Sequence, residues 1–85
     1  MGMFEYEIKD ELGIHARPAG LLVKEASRFK SAVTVKKGEK SADAKSIFAL
    51  MGLGAKKGDT ICVIAEGEDE LDAMDELEKF VKTIL

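Results

Sequence analysis

Hydrophobic residues near the start of the chain switch from a period of two to the period of a helix. Phe4, Tyr6 and Ile8 alternate with glutamates, which is typical of a half-buried strand. Between Pro18 and Lys30 the apolar residues instead recur every three or four positions, which predicts an amphipathic helix. The apolar positions of this helix are Ala19, Leu22, Val23, Ala26 and Phe29.

The middle of the chain predicts a hairpin followed by a short helix. Residues 32–37 return to the strand period, and residues 41–44 suit a short strand at a sheet edge. Between them, Gly38 lies where a two-residue type II′ turn requires a positive φ. Ser46 stands at an N-cap position, and two glycines that follow are expected to end the helix after about two turns.

The last third of the chain predicts a central strand and a long helix. Residues 59–67 form the most apolar strand, and acidic residues crowd the start of the final helix, where the helix dipole favours them. The apolar stripe of that helix is Leu71, Met74, Leu77, Val81 and Ile84. The order β-α-β-β-α-β-α predicts an α+β fold in which helices cover one face of an antiparallel sheet. We expect residues 1–85 to form one domain.

Composition narrows the class of protein. Of the 85 residues, 46% are hydrophobic, and 13 basic and 16 acidic residues give a net charge of −3. Nucleic acid is an unsuitable main partner because its binding needs a basic face for phosphate contacts. No apolar run approaches the roughly 20 residues of a membrane span, and the alternating, acidic start is unlike a signal peptide.

Cysteine and histidine usage argues against disulfides and metals. Cys62 is the only cysteine and His15 the only histidine, and no metal-binding motif is present. We therefore expect no internal disulfide, no metal and no cofactor. A lone cysteine fits the reducing cytoplasm, where we expect the protein to act.

The stretch GIHARPAG contains the only histidine and the only proline of the chain. Proline is favoured at the first helical position, so Pro18 is predicted near N1 and His15 just outside the helix. The amides of Ala16 and Arg17 then lack helical acceptors, and the positive end of the helix favours an anion beside them. Gly13 allows the loop to turn back close to this site.

These residue types suit phosphoryl transfer. The helix end and Arg17 disfavour a charged imidazole, so a neutral His15 can attack phosphorus in line. The guanidinium fork of Arg17 matches the geometry of phosphoryl oxygens. A lone histidine in front of a helix also serves as a cap or a surface contact, and the spacing alone leaves that alternative open.

Two longer motifs, GIHARPAGLLVKEA and SADAKSIFALMGLGAKKGD, resemble the HPr family. These proteins are the histidine-containing phosphocarriers of the bacterial phosphoenolpyruvate–sugar phosphotransferase system, and the resemblance covers essentially the whole chain. It implies an open-faced β-sandwich, with a four-stranded antiparallel sheet under three helices. It also implies that enzyme I phosphorylates His15, that Arg17 stabilises the phosphate, and that enzyme IIA domains receive the group. Such a protein is a carrier and has no turnover of its own.

The resemblance gives Ser46 a second role. An N-cap hydroxyl alone explains a serine at this position. In many family members, however, an ATP-dependent HPr kinase/phosphorylase modifies the matching serine, and a phosphate there changes which partner fits. The alternative function is therefore a regulatory module whose phosphorylated form binds a transcription regulator such as catabolite control protein A. A carrier with the same fold that belongs to the nitrogen branch of the phosphotransferase system is a further alternative.

A small apolar docking surface is expected beside the histidine. The helix after Ser46 has more apolar side chains than one face of so short a helix can bury, so some of them are exposed. The family resemblance assigns Ile47 and Phe48 to this surface. The predicted docking residues are Gly20, Leu21, Lys24, Ile47, Phe48 and Met51. The nearby cations expected to steer acidic partners are Arg17, Lys24, Lys45 and Lys56. We expect a monomer with short-lived interfaces.

Some residues depart from the family pattern. Gly20 stands where the family usually has Ala or Thr, which removes a methyl group from the docking surface and loosens the first turn of the helix. Asp10 and Glu11 would make a phosphohistidine more labile if their carboxylates point toward it. Phe48 is typical of enteric members, whereas many Gram-positive members have Met there. His15 itself is intact, which argues against the regulatory paralogues that lack it.

Overall fold

The computed structural model describes residues 1–85, and none of its helices has the length and apolar character needed to cross a membrane. The element order is the predicted β-α-β-β-α-β-α. The strands are β1 (Gly2–Glu7), β2 (Ala32–Lys37), β3 (Lys40–Asp43) and β4 (Thr60–Glu66). The helices are α1 (Ala16–Ala26), α2 (Ile47–Gly52) and α3 (Glu70–Ile84).

The four strands form one antiparallel sheet in the order β1-β4-β2-β3. β4 lies between β1 and β2, as predicted for the most apolar strand, and the short β3 lies at an edge, also as predicted. Val63 of β4 is paired with Phe4 of β1 and with Val35 of β2. Since side chains alternate along each strand, this register places the three residues on the same face of the sheet.

One face of the sheet packs against the three helices and forms the core. Val35 and Val63 from the sheet and Leu77 from α3 are fully buried, whereas Met3 on the opposite face is 57% exposed. The architecture confirms the predicted α+β fold, an open-faced β-sandwich with a four-stranded antiparallel sheet and three helices. The buried hydrophobic residues are Ile8, Ile14, Ala19, Leu22, Ala26, Val33, Val35, Ala42, Ala44, Leu50, Leu53, Ala55, Ile61, Val63, Ala65, Ala73, Leu77, Val81 and Leu85.

The turn between β2 and β3 agrees with the sequence prediction. Lys37 is paired with Lys40, which leaves Gly38 and Glu39 as a two-residue loop. Gly38 has a φ of 58°, and no residue other than glycine has a positive φ anywhere in the chain. A type I′ turn needs two positive φ values, so this observation excludes it and agrees with the predicted type II′ turn.

Helix α1 begins and ends earlier than predicted. It starts at Ala16, so Pro18 is the third helical residue and not the first. Proline is tolerated throughout the first turn because amides there have no helical acceptor, and residue type alone does not separate these positions. Phe29 was expected on the helical stripe but lies beyond the end of α1 at Ala26, where it packs half-buried against the core.

The apolar stripe of α3 also differs from the prediction. Leu71 is 80% exposed, whereas Ala73, Leu77 and Val81 are fully buried. At the rotation of an α-helix, Leu71 lies about 120° around the axis from Leu77, while Ala73 and Val81 lie within about 40° of it. Ala73 therefore replaces Leu71 on the face that packs against the sheet.

A hydrogen-bonded cluster joins the chain before β2 to the chain before α3. The carboxylate of Asp69 accepts hydrogen bonds from the amides of Lys30 and Ser31, each at 2.9 Å, and from the Ser31 hydroxyl. These hydrogen bonds lower the pKa of Asp69 to about 2, and the bond from the Ser31 hydroxyl has the largest effect. Asp69 is the N-cap residue of α3 but gives its side chain to this cluster instead of the helix. Ser31 is 1% exposed, so solvent does not reach the cluster from the Ser31 side.

We expect this cluster to make folding stability fall in acid. The pKa of Asp69 is about 2 in the folded chain against an ordinary value of 3.8. Its contribution is therefore complete above about pH 4 and is lost as the pH falls toward about 2. Asp69→Asn should lower the urea midpoint at neutral pH, and its difference from wild type should shrink over this acid range. In the control, Asp75→Asn, the lost carboxylate pairs only with surface-exposed Lys79, so the midpoint should barely change. A difference between wild type and Asp69→Asn that does not shrink between about pH 4 and about pH 2 would contradict the prediction.

Candidate functional site

His15 is the N-cap residue of α1 and stands where the loop after β1 enters the helix. Its φ of −97° and ψ of −175° are extended, and its carbonyl accepts the first helical hydrogen bond, from Ala19 at 2.9 Å. The amides of Ala16 and Arg17 have no acceptor in the protein, and Pro18 has no N–H to donate. The helix thus begins beside the imidazole with two free donors, which is the arrangement expected from the motif.

The loop that carries His15 is held against the end of α3. The amides of Lys9 and Asp10 both donate to the backbone oxygen of Leu85, each at 2.7 Å. Leu85 itself is 5% exposed and belongs to the core. The start of the loop is therefore fixed by a contact between residues far apart in sequence.

The loop is also held against the segment that follows α2. Ile14 donates its amide to the carbonyl of Ala55 at 3.1 Å. Gly13 has a φ of 64°, and a Cβ atom at this position would lie 2.2 Å from the Ala55 oxygen and 2.7 Å from Lys56 Cα. Both the backbone conformation and the close approach require glycine. Gly13 therefore does let the loop turn, and the structure adds that the chain after α2 packs directly on it.

The His15 ring borders an open depression of about 520 Å³. The imidazole is 34% exposed, so an incoming group reaches it without movement of the chain. The depression is open to solvent, so a protein partner can reach the ring. The depression is lined by Asp10, Glu11, Leu12, His15, Arg17, Pro18, Leu21, Thr83 and Ile84.

The two acidic residues of the loop point in different directions. Asp10 places Oδ1 3.8 Å from Nε2 of His15. Glu11 points outward, is 81% exposed at its side chain and pairs with Lys57 at 2.8 Å. The sequence showed both acids but not which of them faces the ring, because that depends on contacts of the loop with residues distant in sequence. The structure shows that it is Asp10.

Arg17 is exposed and has no partner in the protein. The chain's other arginine, Arg28, pairs with Glu25, whereas no carboxylate lies within ion-pair distance of Arg17. Its guanidinium is therefore free to bind an anion delivered to the start of α1.

The predicted docking residues lie on two neighbouring helices, and we call them the α1/α2 surface. Gly20, Leu21 and Lys24 come from α1, and Ile47, Phe48 and Met51 from α2. Phe48 is 83% exposed, while Met51 and Leu21 are 41% and 39% exposed. An exposed apolar surface rimmed by polar residues is typical of a protein-interaction site.

Some residues near this surface have other roles. Ile47 is half-buried and packs against the core, and Leu53 is 2% exposed and belongs to it. Lys45 was expected to be a free cation, but its ammonium donates to the carbonyl of Phe29 at 2.9 Å. Lys24 and Lys56 are exposed without ion-pair partners. Lys45 thus ties α2 to the end of α1, and the remaining cations are available to acidic partners.

Ser46 caps α2, as its position predicted. Its hydroxyl oxygen accepts a hydrogen bond from the amide of Ala49 at 3.3 Å. The side chain is half-buried, two residues before the exposed Phe48. The capping role is therefore confirmed, and its modification stays a prediction.

We expect Gly20→Ala to stabilise the protein. Gly20 is the fifth residue of α1, so it lies in the second turn and not in the first turn as predicted, because the helix begins at Ala16. An added Cβ would meet only the Cδ1 atom of Ile47, at an ordinary contact distance of 3.7 Å. The gain in the free energy of unfolding should be about 0.5–1 kcal/mol, because alanine restricts the unfolded chain and fits the helix. Urea denaturation measures this gain in the free energy of unfolding. Gly52→Ala is the comparison variant, because a Cβ atom at position 52 meets no other atom within 4 Å. A lower midpoint for Gly20→Ala would contradict the prediction.

Comparison with known proteins places the whole chain in one family. The family model "PTS HPr component phosphorylation site" matches residues 3–83. The chain is 47% identical over 73 residues to the phosphocarrier protein HPr of Lysinibacillus sphaericus, covering 86% of this chain and 83% of that one. It is 45% identical over 78 residues to the HPr-like protein Crh of Halalkalibacterium halodurans, covering 92% and 93%.

Solved structures agree with the sequence comparison. The histidine-containing phosphocarrier protein of Mycoplasma superposes with a TM-score of 0.93 at 38% identity, over 99% of this chain and 97% of that one. Crh of Bacillus subtilis, described as a catabolite repression protein and a domain-swapped dimer, gives 0.79 at 40% identity, over 100% and 98%. Relatives of this fold are thus described both as phosphocarriers and as a dimer, so the expected monomer stays a prediction.

Proposed function

Because the chain belongs to the HPr family of phosphocarriers of the phosphotransferase system, we propose that His15 accepts a phosphoryl group from phosphorylated enzyme I. It then passes the group, in the cytoplasm, to the enzyme IIA domains that serve sugar uptake. The observation that carries this proposal is the position of His15 beside two free helical amides and the unpaired Arg17. In this role the protein is a substrate of phosphotransferases and catalyses no reaction of its own.

The surroundings of the ring indicate which nitrogen takes the group. Nε2 faces the carboxylate of Asp10 at 3.8 Å, which favours a proton on that nitrogen. Nδ1 has no hydrogen-bond partner, so its electron pair is free to attack. The new P–N bond forms at Nδ1 while the bond between phosphorus and the donor breaks, and its electron pair leaves with the donor.

The start of α1 would stabilise the phosphoryl group on His15. Such a group carries roughly −1.5 to −2 charges at neutral pH. The free amides of Ala16 and Arg17 and the positive helix end favour this charge, and the Arg17 guanidinium neutralises part of it. Catalysis of transfer then rests on positioning and electrostatics, with the partner supplying the other half of the site.

The α1/α2 surface is proposed as the docking site for both partners. Phe48 and Met51 provide apolar contact area, and Lys24 steers acidic partners during encounter. If the same surface binds first the donor and then the acceptor, the first partner must dissociate before the second can bind. This order of binding suits a small and short-lived interface.

A phosphorylation assay tests the carrier function. The chain is mixed with enzyme I and phosphoenolpyruvate, and the bound phosphoryl group is examined for stability. We expect one acid-labile, base-stable group per chain, as a phosphohistidine requires, and its loss when an enzyme IIA domain is added. No incorporation into the folded wild-type chain would overturn the proposal.

A second candidate function is regulation through Ser46. The observation in its favour is that the relatives include Crh proteins, one of them described as a catabolite repression protein, at identities similar to the carriers. In this alternative, HPr kinase/phosphorylase uses ATP to modify Ser46, and the product binds a regulator such as catabolite control protein A through the neighbouring Phe48. ATP-dependent, base-labile phosphate that is absent from Ser46→Ala would support it, and its absence from wild type would overturn it.

We propose that the protein acts as a monomer. The exposed apolar side chains of the α1/α2 surface, Phe48, Met51 and Leu21, suit a small and short-lived interface with a partner. Light scattering coupled to size-exclusion chromatography tests this, and a mass of two chains would overturn it.

A further inference from the structure

We propose that Asp10 is a positioning residue for phosphoryl transfer, which holds a proton on Nε2 of His15 while the phosphoryl group occupies Nδ1. The inference rests on the proposed function of His15. Its basis is the distance of 3.8 Å between Asp10 Oδ1 and His15 Nε2. The two side chains are 35% and 34% exposed, so the contact lies at the edge of the depression, where a partner covers it on docking.

Asp10 is fixed at both its backbone and its side chain. Its amide donates to the backbone oxygen of Leu85 at 2.7 Å, and its carbonyl accepts from Gly13 at 3.0 Å. Its Oδ1 atom accepts from the amide of Leu12 at 2.9 Å. The carboxylate is thus held in place by the loop before any phosphoryl group arrives, which is the property expected of a positioning group.

The chemistry of transfer gives this proton a role. When the group leaves, the P–N bond breaks and its electron pair returns to Nδ1, while the acceptor's nucleophile provides the pair for the new bond to phosphorus. If Nε2 carries a proton, the leaving group is neutral imidazole, and without that proton it is an anion. A carboxylate beside Nε2 favours the protonated ring and therefore the better leaving group.

The other groups around the ring do not supply this effect. Glu11 points to Lys57 and away from the ring, and α3 contributes only the uncharged Thr83 and Ile84 to the depression. Arg17 from α1 lies in the same depression but carries the opposite charge. Among the side chains around the ring, Asp10 is therefore the one whose carboxylate lies beside Nε2.

The test compares Asp10→Asn with the matched control Glu11→Gln. Each removes one negative charge from the same loop, and asparagine keeps an oxygen that accepts from the Leu12 amide. Because His15 is the only histidine, ¹⁵N-histidine labelling reports this ring alone. All chains are phosphorylated with enzyme I and phosphoenolpyruvate. At about pH 8, Asp10→Asn should show a smaller protonated fraction at Nε2 and hydrolysis about two- to fivefold slower than wild type, as expected for a partly exposed charge pair.

The outcomes separate this inference from the carrier proposal. Full phosphorylation of all three chains, with slower hydrolysis and a changed Nε2 signal only in Asp10→Asn, supports it. Wild-type hydrolysis and Nε2 signal in Asp10→Asn, or equal changes in Glu11→Gln, overturn it while His15 remains the carrier. No phosphorylation of wild type overturns both. If Asp10→Asn fails to fold, Asp10→Ser, which also retains a short acceptor for the Leu12 amide, is measured under the same criteria.

Discussion

Replacing His15 by alanine should abolish phosphoryl incorporation from enzyme I while leaving the protein folded. The imidazole makes no capping hydrogen bond and is one-third exposed, so its removal should change the free energy of unfolding by about 0.5 kcal/mol or less. The nucleophile, in contrast, has no substitute, since no second histidine exists in the chain. Incorporation from phosphoenolpyruvate should fall to background, and the urea midpoint should stay near that of wild type.

Two comparisons make the result specific. Ser46→Ala removes the other candidate phosphorylation site and should still accept the group from enzyme I, with a modest loss of stability because α2 loses its cap. Arg17→Ala keeps the nucleophile but removes the free guanidinium, so it should be phosphorylated more slowly. Acid-labile phosphate on folded His15→Ala would show that the acceptor lies elsewhere.

Much of the fold follows from local patterns that tertiary contacts did not override. The apolar run of β4 predicted a central strand, and Gly38 and Ser46 predicted a turn and a helix start, because each depends on residues close in sequence. Leu71 does not lie on the packed face as predicted, because it is rotated about 120° around the helix axis from Leu77.

The candidate site was predictable in part for the same reason. His15 and Arg17 are adjacent to a helix start, so a short motif was enough to nominate them. The orientation of Asp10 was not predictable, because it depends on contacts of the loop with Leu85, which is 75 positions away in sequence. The hydrogen bond from the Lys45 ammonium to the Phe29 carbonyl was not predictable for the same reason, because it joins the chain before α2 to the chain after α1.

Gly13→Ala should be among the most damaging single substitutions near the site. The φ of 64° is unfavourable for alanine, and its Cβ would lie 2.2 Å from the Ala55 oxygen, which is backbone and cannot rotate away. The loop must then separate from the chain after α2, breaking the hydrogen bond from Ile14 to Ala55. Backbone strain and overpacking together predict a loss of about 2–4 kcal/mol in the free energy of unfolding. The rate of phosphorylation by enzyme I should also fall, because His15 is displaced from the start of α1.

Gly54 provides a control that separates strain from close packing. It has the same φ of 64°, but a Cβ at this position meets no atom within 4 Å. Gly54→Ala should therefore lose only about 1–2 kcal/mol, from the left-handed backbone, and should be phosphorylated at the wild-type rate. If the two variants lose equal stability in urea, the contact between Gly13 and Ala55 does not hold the loop. If Gly13→Ala is destabilised but phosphorylated at the wild-type rate, the loop contact supports the fold without positioning the acceptor histidine.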